Sequence, residues 1–231
     1  MSDDQKRRWT GKPSGGGGRK LTEHVKKKQA KQSSRNWLDR HLNDPYVARA
    51  AAEGLRARSA FKLIELDDKF RVLKRGAWAI DLGAAPGSWA QVLVHRGAGK
   101  VVGIDLLPIE PLAGATFLRM DLLAPEAPAA LIAALGGTPD LVVSDMAANT
   151  TGHARTDQIR TGALAGAAAD FAIAHLGPGG AFVTKAFQGG LDSGLLARLK
   201  QNFAIVRHAK PPASRAESSE VYVVAMGRRK L

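Results

Sequence analysis

The stretch Ala79-Ile-Asp-Leu-Gly-Ala-Ala-Pro-Gly-Ser-Trp89 decides the fold. It is an apolar run carrying one acid, Asp81, that turns through Gly83-Ala-Ala-Pro-Gly87 and opens onto a helical pattern from Ser88. A strand, a glycine-rich turn and a helix in that order form a ligand loop at the carboxyl end of a strand in an open parallel sheet. The turn lacks the G-x-G-x-x-G spacing of a dinucleotide site, and no G-x-x-x-x-G-K-[ST] phosphate loop is present, which disfavours both of those cradles.

Outward from this loop the chain alternates short apolar runs with helical patterns. Strands are expected at Ala77 to Leu82, Val101 to Ile104, Thr116 to Leu118, Leu141 to Ser144, Ala181 to Thr184, Phe203 to Arg207 and Val221 to Ala225. Helices are expected near Ser88 to Arg96, Pro125 to Leu135, Asp157 to Leu176 and Ser193 to Asn202, which makes an α/β, mostly parallel sheet the natural architecture. Gly177-Pro-Gly-Gly180 reads as a helix stop ahead of a strand. Between Arg56 and Phe70 the apolar positions 60, 61, 63, 64, 66 and 70 predict an amphipathic helix, on which Lys62 by itself reads as an outward-facing cation.

Composition narrows the function classes. With 231 residues, 45% of them hydrophobic, the chain suits one globular domain. Its formal net charge of +13 exceeds what solubility needs and points to a polyanionic partner. Residues 1–36 carry 11 basic and 3 acidic side chains, with Gly15 to Gly18 and the run Lys26 to Lys28. We therefore read residues 1–34 as a disordered basic tail drawn to nucleic acid phosphates, and 35–231 as the folded domain, with order beginning near Trp37. The absence of cysteine excludes disulfides and thiolate metal sites and fits a reducing cytoplasm. No apolar stretch of roughly 20 residues is present and the basic N-terminus is not followed by an apolar signal core, so no membrane association is expected. The six histidines have no metal-ligand spacing, and no metal is expected.

Acids recur where strands end: Asp81, then Asp105 at 24 residues' distance, then Asp121 and Asp145. A single such Asp is more often a cap or turn former. Four in series describe a ligand with ribose hydroxyls, an exocyclic amine and a positive centre, the hydrogen-bonding profile of S-adenosylmethionine; Asp105 suits the ribose and Asp121 the adenine amine. Lys185 interrupts a strand that ought to be buried, where an ammonium is costly unless paired or neutralised; snorkelling from the strand end is the plain alternative. Glu220 opens the last strand and could equally be a solvated edge residue.

Six motifs in order then carry a resemblance: Gly54-Leu-Arg-Ala-Arg-Ser-Ala-Phe-Lys62, Asp81 to Trp89, Asp105-Leu-Leu-Pro108, Ser144-Asp-Met-Ala147, Lys185-Ala-Phe-Gln-Gly189 and Ser214-Arg-Ala-Glu-Ser-Ser-Glu220-Val-Tyr222. From about Ser34 onward the chain resembles the FtsJ/RrmJ-type RNA ribose 2′-O-methyltransferases, most closely the bacterial branch acting on a uridine of large-subunit ribosomal RNA. The resemblance implies a Rossmann-like, S-adenosylmethionine-dependent methyltransferase fold, seven strands with the last antiparallel and helices on both faces. It places a Lys-Asp-Lys-Glu tetrad on Lys62, Asp145, Lys185 and Glu220, and cofactor contacts on Gly87, Trp89, Asp105, Asp121 and Asp145. It also implies a monomer acting on large ribosomal subunit RNA, in the assembled subunit. Two positions depart from the family pattern: Ser88 replaces a second Gly, and Ala148 replaces the Pro after Asp-Met-Ala, changes expected to alter loop stiffness and not chemistry.

In that reading the enzyme orients a ribose hydroxyl toward an already activated methyl and helps it lose its proton. Lys185 is the candidate base or steering group. Desolvation and a neighbouring Lys62 would favour a neutral amine there, while Asp145 and Glu220 would oppose it. Arg35, Arg40, Arg56, Arg58, Lys210 and Arg215 are read as RNA-facing cations flanking the site. The same chemistry on transfer RNA or another RNA is the nearer alternative, and a nicotinamide-dependent oxidoreductase and a non-catalytic RNA-binding ribosome-assembly protein are the rival classes.

Overall fold

All seven expected strands form and join one sheet. A computed structural model describes residues 43–148, 152–187 and 193–230; the tail expected over residues 1–34 and the onset of order expected near Trp37 lie outside them. The strands are β1 (Trp78–Leu82), β2 (Lys100–Asp105), β3 (Ala115–Arg119), β4 (Leu141–Ser144), β5 (Ala181–Phe187), β6 (Phe203–Ala209) and β7 (Glu220–Arg228). Their order across the sheet is β3-β2-β1-β4-β5-β7-β6, and only β7 runs antiparallel to its neighbours. The reversal of strand order beside β1 makes its carboxyl end the crevice where such sheets bind ligands.

Each strand is sorted by its side-chain alternation. Ala79, Val101, Leu141, Val143, Val183, Tyr222 and Val224 face one layer of helices, formed by α1 (Pro45–Ala52), α2 (Ala60–Phe70) and α3 (Ser88–His95). Ile80, Leu82, Val102, Ile104, Val142, Phe182, Val223 and Ala225 face the other, formed by α4 (Ala127–Leu135), α5 (Ala154–His175) and α6 (Ser193–Asn202). Both faces are covered, which is why the central strands read as continuous apolar runs. Among the described residues no helix is long and apolar enough to cross a membrane.

Local chemistry sets the helix ends. Asp44 caps α1 by accepting from the Tyr46 amide at 3.0 Å, with Pro45 in the first turn. The helix expected from Arg56 begins only at Ala60, because the Arg56 amide donates to Gln91 Oε1 of α3 at 2.9 Å and holds the preceding residues in a turn. At its other end α2 closes on Arg71, a non-glycine residue in the left-handed region at φ 55°. β5 runs on through Lys185 to Phe187, so the lysine lies inside the strand instead of ending it.

Phe61 anchors α2. It is fully buried, with the Tyr46 ring centroid 5.3 Å away and the Arg49 guanidinium 4.3 Å above its ring. Truncation of Phe61 to Ala is expected to lower the unfolding free energy by about 3–5 kcal/mol, the usual cost of emptying an aromatic core site, as read from urea denaturation curves.

Candidate active site

The carboxyl edge of the sheet collects the residues singled out by sequence. In the strand order β3-β2-β1-β4, Asp121 follows β3, Asp105 ends β2, Asp81 lies on β1 and Asp145 follows β4. Next come Lys185 on β5 and Tyr222 on β7, paired in register, and then Glu220 at the start of β7 opposite Phe187. Lys62 reaches the same place from α2.

The outward-facing reading of Lys62 is overturned. Its side chain is turned inward at 8% exposure, and Nζ donates to Glu220 Oε2 at 2.8 Å. Lys185 is 7% exposed and Glu220 9%. Asp145 Oδ1 lies 3.1 Å from Lys185 Nζ and 3.9 Å from Lys62 Nζ, and accepts from the Tyr222 hydroxyl at 2.6 Å. Lys185 Nζ also donates to the Asp145 backbone carbonyl. Glu220 Oε1 accepts from Ser214 Oγ at 2.7 Å. Two lysines and two carboxylates, three of them buried and Asp145 partly so, thus form a cluster whose formal charges cancel and in which each group satisfies another.

Burial pushes the Asp145 carboxyl up, but the Lys185 and Lys62 ammoniums and the hydrogen bonds from Tyr222 and Lys185 outweigh it and hold it below the usual carboxylate range. The Tyr222 phenol is pushed well above its usual value by burial and by the Asp145 and Glu220 charges. It therefore remains a donor to Asp145.

At the β1 loop, Gly87 adopts φ 94°, a left-handed backbone that favours glycine, and an added Cβ would fall 2.5 Å from Arg56 Nη1 and push that guanidinium aside. Arg56 braces the loop by donating to the carbonyls of Pro86 at 3.1 Å, Glu110 at 2.8 Å and Pro111 at 2.7 Å. Asp105 accepts from the amides of Ala85 at 2.9 Å and Leu107 at 2.9 Å, tying the loop to β2, and Asp121 accepts from the Leu123 amide at 2.9 Å. The Trp89 ring is in the core at 2% exposure, donating to the Ser59 carbonyl at 2.8 Å and lying 5.8 Å from the Tyr222 ring. Only the Trp89 main chain, in the first turn of α3, remains for a ligand in this crevice.

Residues that hold the site include Glu65 and Asp44, which sequence reasoning missed, and cations that it read differently. Glu65, on α2 three residues after Lys62, accepts from the Ala213 amide at 2.7 Å and from the Tyr46 hydroxyl at 3.0 Å. Arg58 donates to the Ala213 carbonyl at 2.6 Å and lies 2.9 Å from Asp44, which Arg215 also contacts at 3.2 Å. Lys210 donates to the carbonyls of Ala216 and Ser218 at 3.0 and 2.6 Å. Arg56, Arg58, Lys210 and Arg215, read from sequence as RNA-facing, are thus engaged by the protein itself. Arg35 and Arg40 lie outside the described residues, as do Gln188 and Gly189 of the Lys185 motif.

The two departures from the family pattern have visible uses. Ser88 Oγ is 2.8 Å from Ser59 Oγ, joining the first turns of α3 and α2, which a glycine could not do. Ala148 donates its amide to Thr161 Oγ1 at 3.2 Å, a bond that proline lacks the hydrogen to make.

Asp81 is the anomaly of the site. It is 1% exposed, and neither carboxylate oxygen has a hydrogen-bond partner. Burial and the charges of Asp145 and Asp105 push it up to about 8, opposed only by the nearby Ala90 amide. An acid whose folded value is raised adds stability fully below its unfolded value near 4, and that stability is lost as pH rises through about 8. The ligand-free protein should therefore melt at progressively lower temperature between pH 5 and about 8.5. Asp81→Asn should flatten this decline, so that the variant's advantage in differential scanning fluorimetry grows with pH; a constant difference across the range would contradict the assignment.

Against this geometry, comparison with known proteins is specific. The family description "FtsJ-like methyltransferase" matches residues 55–228. The chain is 59% identical over 208 residues to Ribosomal RNA large subunit methyltransferase E of Novosphingobium aromaticivorans, covering 88% of this chain and 94% of that protein. It is 50% identical over 234 residues to the Hyphomonas neptunium protein of the same name, covering both chains in full. A solved Plasmodium falciparum protein assigned as a ribosomal RNA methyltransferase superposes with a TM-score of 0.68 at 27% identity, over 76% of this chain and all of that one. The crevice and its four-charge cluster lie within the matched span, and the chain belongs to the FtsJ-like methyltransferase family.

Proposed function

We propose that the protein transfers a methyl group from S-adenosylmethionine to a ribose 2′-hydroxyl of large-subunit ribosomal RNA, a uridine in the assembled subunit, acting as a monomer. The observation that carries the reading is the convergence of Lys62 and Lys185, 158 and 35 residues in sequence from Glu220, with Glu220 and Asp145 at one end of the sheet. The names of the relatives support the choice of ribosomal RNA as substrate. The basic arm over residues 1–34 adds electrostatic attraction to phosphates.

The residues along the edge fit the cofactor. Asp105 suits the ribose hydroxyls, Asp121 the adenine amine, Gly87 and the Trp89 main chain the close backbone approach, and Asp145 the positive end. The orphaned Asp81 oxygens support the fit, since a buried carboxylate without partners is what a cationic ligand would compensate. When bound, S-adenosylmethionine supplies a methyl group already activated on a sulfonium.

The chain's own task is then orientation and proton management. Lys185 Nζ meets the 2′-hydroxyl, either taking its proton or holding it in line. Asp145 fixes Lys185 through one carboxylate oxygen and its own backbone carbonyl, while Tyr222 holds that oxygen. Glu220, steadied by Ser214, keeps Lys62 beside the pair and keeps the cluster neutral.

Labelled methyl transfer to large ribosomal subunits from cells lacking this protein tests the reading, with the product mapped by ribose-methylation-sensitive primer extension. Wild-type protein should modify one ribose, and Lys185→Ala should lose at least about 100-fold in rate, the lower range for loss of a proton-transfer group. Cofactor affinity by equilibrium dialysis should change little. Lys185→Arg separates the two roles: a steering lysine leaves measurable turnover, whereas a base leaves none across the pH range. Cofactor binding without transfer to any RNA would overturn the reading.

A further inference from the structure

A cluster of exposed cations lies at the end of the sheet opposite the active site. The segment Lys69-Phe-Arg-Val-Leu-Lys-Arg75 leaves α2 and enters β1 at the amino end of the sheet. Its four cations, Lys69, Arg71, Lys74 and Arg75, are all exposed. Arg229 and Lys230, also exposed, leave β7 at the same end, where Arg228 pairs its backbone with Gly179 at 2.8 Å and Gly180 at 3.0 Å. None of the six has an ion pair among the described residues.

The acids at this end are few and engaged. Asp67 and Asp68 are both held by Arg96, and Asp140 accepts from the Trp78 amide at 2.9 Å. A groove of about 110 Å³ at this end is lined by Arg71, Lys74 and Asp140 together with Pro178, Gly179 and Gly180. Six exposed cations at one end of the sheet, two of them lining a groove with a glycine-rich wall, present charge and close backbone approach together, the combination that a phosphate backbone meets.

We infer that this end of the sheet is a second RNA-binding surface, which grips the phosphate backbone of a segment of folded RNA other than the strand carrying the target ribose. The inference rests on the proposed action on ribosomal RNA. The sheet itself lies between the patch and the site: Lys185 is four strand residues from Ala181, roughly 13 Å at about 3.3 Å per residue. Contact at both ends therefore requires an RNA that folds around the domain, as in a ribosomal subunit, and a short single strand in the crevice would use only one. Recognition here is through phosphates and carries no base preference.

The test uses full-length protein and a triple variant, Arg71→Gln with Lys74→Gln and Arg75→Gln, whose side chains are exposed and whose melting temperature and cofactor affinity should match wild type. Binding to large ribosomal subunits is measured as a function of salt, and methylation is compared between subunits and a short RNA strand carrying the modified ribose. Removal of three phosphate contacts should reduce the slope of log affinity against log salt by about 2–3 and weaken binding at least roughly tenfold at low salt. KM on subunits should rise with kcat retained, and activity on the short strand should not change. Unchanged affinity and slope in the triple variant, with wild-type protein binding subunits normally, would overturn the second surface alone. Failure of wild-type protein to bind subunits at all would overturn the ribosomal reading and this inference with it. Equal loss on the short strand and on subunits would also reject it, assigning the three cations to the site itself.

Discussion

The structure depends on burying four charges at once. Lys62, Asp145, Lys185 and Glu220 come from a helix, a loop and two strands, and none could be buried alone, since an isolated ion in a protein interior costs several kcal/mol even after relaxation. The pairs Lys62–Glu220 and Lys185–Asp145, joined by the longer Lys62–Asp145 contact, satisfy that requirement only when α2, β4, β5 and β7 are all in place. Assembly of the site and closure of this layer are one event. The antiparallel β7 is part of the requirement: its register places Tyr222 opposite Lys185 and Glu220 opposite Phe187, and a slip of one residue would turn both to the wrong face.

A second polar network holds the first. Glu65 is on the turn of α2 after Lys62, and its grip on the Ala213 amide fixes the segment that carries Ser214, which in turn orients Glu220. Arg58 and Arg215 close on the buried Asp44 from two sides, so α1, the turn before α2 and the β6–β7 connection are joined around one carboxylate. Burial raises the Glu65 carboxyl against the hydrogen bonds from Ala213 and Tyr46, and raises the Tyr46 phenol to about 12. The network is built to keep the lysine of α2 and the glutamate of β7 at a fixed separation.

Much of the fold was legible because its signals are local. Apolar runs bounded by glycine and acids marked all seven strands, and the alternation of strands and helices gave the sheet. Asp105, Asp121 and Asp145 could be placed because a residue at the end of a parallel strand has only one edge to occupy. The clear misreading was of one cation. Lys62 interrupts an apolar helical face, and periodicity alone assigns such a lysine to solvent; only its distant partner, Glu220, makes burial affordable, and a pairing across 158 residues leaves no local trace. Arg56 and Arg58 look like RNA contacts because arginine near a site usually suggests phosphate. In the structure the Arg56 head joins three backbone carbonyls and the Arg58 head joins one carbonyl to the Asp44 carboxylate, uses that depend on tertiary approach. Asp81 was visible as an acid in the loop, but its lack of partners could be seen only once its surroundings were known.

The distribution of charge follows from the chemistry. In the proposed mechanism the two lysines and two carboxylates handle a proton within a cluster whose formal charges cancel, and such a cluster exerts little long-range pull on a polyanion. The arginines that surround it are used to hold loops and are partly shielded by the carbonyls they bind. The proposed RNA contacts would draw on charge with no structural duty, the cations ahead of residue 36 and those on the turns at the far end of the sheet. On that proposal, separating the two would let the four-charge cluster keep a fixed geometry while the protein approaches a highly charged surface, because the forces that draw the RNA in would act on side chains that hold nothing together.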